Sequence, residues 1–115
     1  MSNIFDKAIT VLQDKGWTQG RYRSTVTGGY CAVGALASAL AGVDCEYTNL
    51  ADDLQEVIDQ TAATAARYVS KDRYVNADTL VMWNDTSGRT ADDVIHLFKH
   101  ASEEFELQQH EKTLG

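Results

Sequence analysis

Apolar residues recur at helical spacing along most of the chain, which contains no proline. Near the start they lie about one helical turn apart, at Ile4, Ala8, Val11 and Leu12. This spacing predicts a first helix over about residues 4–15. Asn3 is a residue type that caps helix N-termini, and Gly16 is the type that follows helix C-termini. The first helix is therefore predicted with both of its ends.

Two further helices are predicted in the middle of the chain. The second covers about residues 30–41 and ends at Gly42. Small residues lie on all of its sides, which indicates a central helix with close neighbours. The third helix begins after Thr48 or Asn49, with its acidic residues facing water. Its predicted buried stripe consists of Leu50, Leu54, Val57, Ile58, Thr61, Ala65 and Tyr68.

The last two helices are predicted from caps as much as from periodicity. A short helix over residues 77–83 follows Asn76, a favourable N-cap. The final helix opens at Thr90, where Thr90 and Asp93 match a capping box in its aspartate variant. Its apolar stripe is the most regular in the chain and comprises Val94, Leu97, Phe98, Ala101 and Phe105.

Two stretches do not fit a helix. Residues 17–29 have β-prone residues followed by a Gly-Gly pair, and residues 107–115 are polar. The sequence therefore predicts an all-α fold, a single compact domain of four to five helices around a central small-residue helix. An irregular or short extended segment is expected near residues 17–29. We place the helical domain at residues 1–106 and a polar, frayed C-terminal tail at residues 107–115.

The net charge of −7 is unevenly distributed. Residues 24–66 contain no lysine or arginine but carry six acids: Asp44, Glu46, Asp52, Asp53, Glu56 and Asp59. An acidic surface repels phosphate backbones, so we expect no direct nucleic-acid binding. Such a face can dock a basic partner or mimic nucleic acid. More commonly, it simply stays solvated and keeps a protein soluble.

Composition and cysteine usage predict a cytoplasmic protein. No apolar run approaches the ~18 residues that span a bilayer, and the N-terminus lacks the pattern of a signal peptide. We expect no membrane association. Cys31 and Cys45 form neither a disulfide framework nor a metal-binding spacing, so both are expected to be reduced. No cofactor is expected.

Two sets of residues are candidates for catalysis or metal binding. Cys31 stands at the predicted start of the second helix, where the helix dipole favours a reactive thiolate, but the sequence places no histidine base beside it. We predict no catalytic residue, with Cys31 as the one candidate. His96 and His100 have the spacing of two zinc ligands on a helix. Because His96 lies opposite the apolar stripe and faces solvent, we predict no metal site. His96 and His100 are the candidate ligands that this prediction sets aside.

The turn between the last two helices is the remaining candidate. Trp83, Asn84, Asp85 and Arg89 can form a shallow binding surface around the indole. In the structural interpretation, the same residues build the turn, Trp83 anchors the core and Arg89 pairs with a carboxylate. Gly88 is the position expected to need a positive φ.

Three sequence blocks carry a resemblance to a known family. They are Gly16-Trp17-Thr18-Gln19-Gly20, Cys31-Ala32-Val33-Gly34-Ala35-Leu36, and Trp83-Asn84-Asp85 with Gly88-Arg89-Thr90 and Asp93-Val94. Together they resemble a family of small uncharacterised proteins of actinobacteria and their phages, over roughly residues 8–101. The resemblance implies a cytoplasmic accessory protein encoded by a phage, and it transfers no functional residue.

Two function classes remain open at this point. The first, which we favour, is a non-enzymatic protein-interaction module that acts on a host protein through an acidic helical face or the Trp83 turn. The second is a small cysteine-dependent enzyme centred on Cys31. The sequence implies a protein partner without identifying it, and it leaves a homo-oligomer open.

Overall fold

Five α-helices make up most of the described chain, which comprises residues 3–42 and 47–114 of a computed structural model, with side chains described through residue 109. The helices are α1 (Ile4–Lys15), α2 (Ala32–Ala41), α3 (Asp52–Ala66), α4 (Ala77–Asn84) and α5 (Ala91–Leu114). A 3-10 turn, Tyr47–Asn49, precedes α3. The predicted all-α fold is confirmed.

Local capping sets the start of α1 where it was predicted. The Asn3 side-chain oxygen accepts hydrogen bonds from the amides of Phe5 (2.9 Å) and Asp6 (3.1 Å). Gly16 ends the helix with a φ of 95°, and its amide bonds back to the carbonyl of Leu12. These groups satisfy backbone donors and acceptors that a helix end leaves unpaired.

Helix α2 lies at the centre of the molecule, as predicted. Every residue from Ala32 to Ser38 is buried, and the helix contacts α1, α3 and α4. At Gly34 the neighbouring chain comes so close that a Cβ atom would stand 2.0 Å from the carbonyl oxygen of Tyr22. The small residues of α2 therefore serve close backbone packing.

Residues 17–29 form an irregular segment that crosses the start of α2. Isolated bridges join Tyr30 to Trp17 and to Arg23. The amide of Cys31 donates to the carbonyl of Tyr22 (3.1 Å), which fixes the backbone of this segment over α2. The expected irregular or short extended segment near residues 17–29 is confirmed.

The predicted face of α3 was partly wrong. Its buried residues are Ile58, Ala62, Ala65 and Ala66. Val57 is 46% exposed and Tyr68 is 38% exposed, although both were placed in the buried stripe. The helix packs against α2 and α4, and its alanines allow a close approach that larger side chains would prevent. Asp59, expected to face water, is half-buried.

Helix α5 buries the first four members of its predicted stripe, whereas Phe105 is 38% exposed. It also holds the start of α1, because the hydroxyl of Ser102 donates to the Asp6 carboxylate (2.6 Å). The helix continues to Leu114, so residues 107–114, which were predicted as a polar tail, are helical in the structure. Polar residues alone do not end a helix, and this stretch contains no proline or glycine before residue 115.

Candidate functional site

Asn84 is the last residue of α4, directly before the turn to α5, and is fully buried. Its side-chain oxygen accepts hydrogen bonds from the indole nitrogen of Trp17 (2.7 Å) and the amide of Ala32 (3.0 Å). Its side-chain nitrogen donates to the carbonyl of Thr18 (3.1 Å) and to Asp85 (3.0 Å). Asn84 thus joins the end of α4 to the start of α2. Asn84 itself lies in the interior, and the binding surface predicted around Trp83 stays a prediction.

Trp83 packs against the hydrophobic core, and Arg89 lies over its ring. The Arg89 guanidinium lies 4.1 Å from the centre of the half-buried Trp83 ring, and its Nε donates to the Trp83 carbonyl (3.0 Å). It also approaches Asp93 at 4.0 Å. The cation–π contact and these polar contacts use the charge of Arg89 within the turn.

The other predicted features of the turn are present. Asp85 is exposed, and its carboxylate accepts from the amide of Gly20 (2.9 Å). Thr90 and Asp93 form the reciprocal hydrogen bonds of a capping box (3.0 and 3.2 Å). Gly88 has a φ of 87°. Asp85, Thr90 and Asp93 therefore have structural roles that their contacts explain.

Cys31 is buried at the N-cap of α2, where its sulfur accepts a hydrogen bond from the amide of Gly34 (3.4 Å). Burial raises the pKa of this thiol to about 11, although hydrogen bonds from backbone amides partly offset the effect. A nucleophilic cysteine needs a lowered pKa, so this environment opposes thiolate chemistry at neutral pH. Cys45 lies outside the described residues.

The two candidate metal ligands are both exposed on α5. The ring of His100 stands edge-on to Tyr68, with 4.6 Å between ring centres. Across residues 3–42 and 47–109, no group of three or more histidine, cysteine or acidic side chains is arranged to hold a metal ion.

A cleft of about 400 Å³, which the sequence did not predict, lies between α3 and the start of α4. Tyr22 and the 3-10 turn complete its walls. Its lining combines two tyrosines, three carboxylates, two amides and four apolar residues: Tyr22, Tyr47, Glu56, Asp59, Asp78, Gln60, Asn76, Val33, Ala63, Val75 and Ala77. This mixture of apolar walls and a few convergent polar groups is typical of binding sites.

Local contacts fix the two tyrosines of this cleft. The Tyr47 hydroxyl donates to the Asp59 carboxylate (2.6 Å), and the Gln55 side chain donates to the Tyr47 carbonyl (3.1 Å). The Tyr22 and Tyr47 rings contact each other with 4.7 Å between centres and 40° between planes. Both rings are therefore held in place by other parts of the fold.

The surroundings of the tyrosines are electrically negative. Burial raises the pKa of Tyr22, and the charges of Cys31, Asp78 and Asp59 raise it further. Burial also raises the pKa of Tyr47, and its hydrogen bond to Asp59 adds to this effect. Both phenols thus stay protonated at neutral pH and keep a hydroxyl as donor.

Three acidic side chains line the cleft. Within the described residues, Glu56, Asp59 and Asp78 form no salt bridge. Glu56 and Asp78 are exposed at the rim, on α3 and α4 respectively. A capping box at Asn76 fixes the start of α4 and so the position of Asp78. Negative charge on opposite walls of a cleft concentrates the electrostatic field inside it.

One feature of the sequence indicates the acidic character of this cleft. Residues 24–66 lack lysine and arginine, so the segments that supply Tyr47, Glu56 and Asp59 have no cation of their own. The position of the cleft itself depends on five segments of the chain, and no local sequence motif predicts that they come together.

The fold and the cleft together define a class: a small all-helical protein with an acidic groove lined by tyrosines. The chain belongs to DUF6197, a family of unknown function, whose model matches residues 1–104. No curated protein and no solved structure matches it significantly. Among the described residues, no helix is both long and apolar enough to cross a membrane.

Proposed function

We propose that this protein is a non-enzymatic interaction module that docks a basic segment of a partner protein at the cleft between α3 and α4. The observation that carries the proposal is the set of three carboxylates around the cleft, which form no salt bridge within the described chain. Complementary charge steers partners together and sets the orientation of binding. The other polar groups of the site, the amides and tyrosine hydroxyls, suit recognition more than catalysis.

The contacts favour the cleft over the Trp83 turn as the docking site. At the turn, Asn84 is buried and Arg89 is engaged by Trp83 and Asp93. At the cleft, Glu56 and Asp78 are exposed, and neither forms a salt bridge within the part of the chain that the structure describes. A positively charged side chain of the partner is therefore stabilised more strongly in the cleft, because acidic side chains lie around it there.

We extend the proposal to the setting in which the module acts. The resemblance to proteins of actinobacteria and their phages supports a phage-encoded accessory protein that acts on a host protein in the host cytoplasm. The acidic composition supports a protein partner over nucleic acid, because phosphate backbones are repelled by net negative charge.

Partner capture by matched variants tests this proposal. The tagged wild-type protein is compared with E56Q/D78N, which neutralises the exposed cleft carboxylates and leaves Asp59 bonded to Tyr47. The control D14N/E103Q removes the same charge at two exposed residues that do not line the cleft. We expect E56Q/D78N to weaken partner binding at least about tenfold, equivalent to about 1.4 kcal/mol, with wild-type affinity in the control. Equal binding by all three proteins would contradict the cleft as the docking site.

A further inference from the structure

The inner surface of the cleft suits a long basic side chain, whose methylene groups can pack against apolar walls. Val33, Ala63, Val75 and Ala77 give it apolar walls. Such walls cover the methylene groups of a long cationic side chain, whose charged end then reaches the polar groups. A compact inorganic cation would leave this apolar surface exposed to water.

The tyrosine pair adds a preference for a flat cation. Tyr22 and Tyr47 lie in contact and line the same cleft, so a cation that enters it meets aromatic surface. A guanidinium group stacks on aromatic rings and is less strongly hydrated than an ammonium group, which lowers the cost of entering a partly buried site.

The carboxylates complete the recognition. Asp59 uses Oδ1 for the Tyr47 hydroxyl, and its carboxylate makes no other hydrogen bond within the described chain. Asp78 stands on α4 and Glu56 on α3. Guanidinium carries five N–H donors in one plane and can bond several such oxygens at once, whereas ammonium acts as a point charge.

We propose that the cleft is a subsite for an arginine side chain of the partner's basic segment, with the guanidinium against Tyr22 and Tyr47 and its N–H groups bonded to Asp59 and the rim carboxylates. This inference rests on the proposed function and names the group that the cleft recognises.

A titration with three capped tripeptides tests it. The ¹⁵N-labelled full chain is followed by NMR while acetyl-Gly-Arg-Gly-amide, the lysine analogue or the citrulline analogue is added. Citrulline keeps the planar shape of arginine and lacks its charge. We expect the arginine peptide to shift the amide signals of the cleft residues and to bind at least several-fold more tightly than lysine. The citrulline peptide should produce no comparable shift.

Substitutions of the tyrosines in the cleft test the arginine subsite separately from the proposed docking function. Y22L should reduce the preference for arginine over lysine while leaving the carboxylates in place. The control Y74L removes a tyrosine that is 81% exposed and does not line the cleft, and it should keep the preference. Equal binding of arginine and lysine by the wild type, or shifts centred elsewhere, would overturn the arginine subsite. Loss of partner capture in E56Q/D78N would still uphold the docking function in that case.

Discussion

Replacing Gly34 with alanine should destabilise the protein by about 3 kcal/mol or more. Alanine normally stabilises a helix interior by about 1 kcal/mol relative to glycine. Here the added Cβ would lie 2.0 Å from the carbonyl oxygen and 2.9 Å from the carbonyl carbon of Tyr22. The obstacle is backbone, which is itself tied to α2 by the hydrogen bond from Cys31. Relief therefore requires the whole segment around Tyr22 to move.

Urea unfolding followed by circular dichroism measures this effect. A39G in the same helix is the control, with an expected loss of about 1 kcal/mol from helix propensity, together with the packing of one partly buried methyl group. If G34A were as stable as the wild type, the close packing of residues 20–23 on α2 would be contradicted. Because the same movement displaces Tyr22, G34A should also lose the cleft, even under conditions in which it remains folded.

The second large effect is expected at Asn84. N84A removes a buried side chain that forms hydrogen bonds with the Trp17 indole, the Thr18 carbonyl and the Ala32 amide. Each buried polar group left without a partner costs about 1–3 kcal/mol, so the total should reach about 3 kcal/mol or more. S87A, at an exposed position of the same turn, should stay within about 0.5 kcal/mol of the wild type.

Thermal and urea unfolding of the N84A and S87A variants measure this difference. An N84A protein as stable as S87A would show that Asn84 does not hold α2, α4 and the Trp17 segment together. A stable N84A that failed to capture the partner would instead return the binding role to the turn.

Local rules predicted much of this fold. Asn3, Asn76 and Thr90 cap helices within three residues of their own positions, so their signals are complete in the sequence. The buried face of α3 was harder to predict. Hydropathy favours Val57 over Ala62, yet Val57 is exposed and Ala62 is buried because close packing against α2 and α4 selects small side chains.

The sites depended on contacts that no local pattern contains. Asn84 is a residue type usually found at the surface, and its burial follows from Trp17 and Thr18, which are far away in sequence. The cleft likewise needs Tyr22, Tyr47 and Asp78 to meet. The sequence shows that residues 24–66 contain no lysine or arginine. That observation predicts an acidic face, but it does not predict that the face contains a cleft.

Zero-length cross-linking of the captured complex tests the docking claim most directly. A carbodiimide joins a carboxylate only to an amine in immediate contact, and mass spectrometry identifies the linked residues. Lysines adjoining the partner's basic segment should be joined to Glu56 or Asp78, and these links should disappear in E56Q/D78N but persist in D14N/E103Q. Links confined to Asp85, Asp92 or Asp93 would place the partner on the Trp83 turn and contradict docking at the cleft.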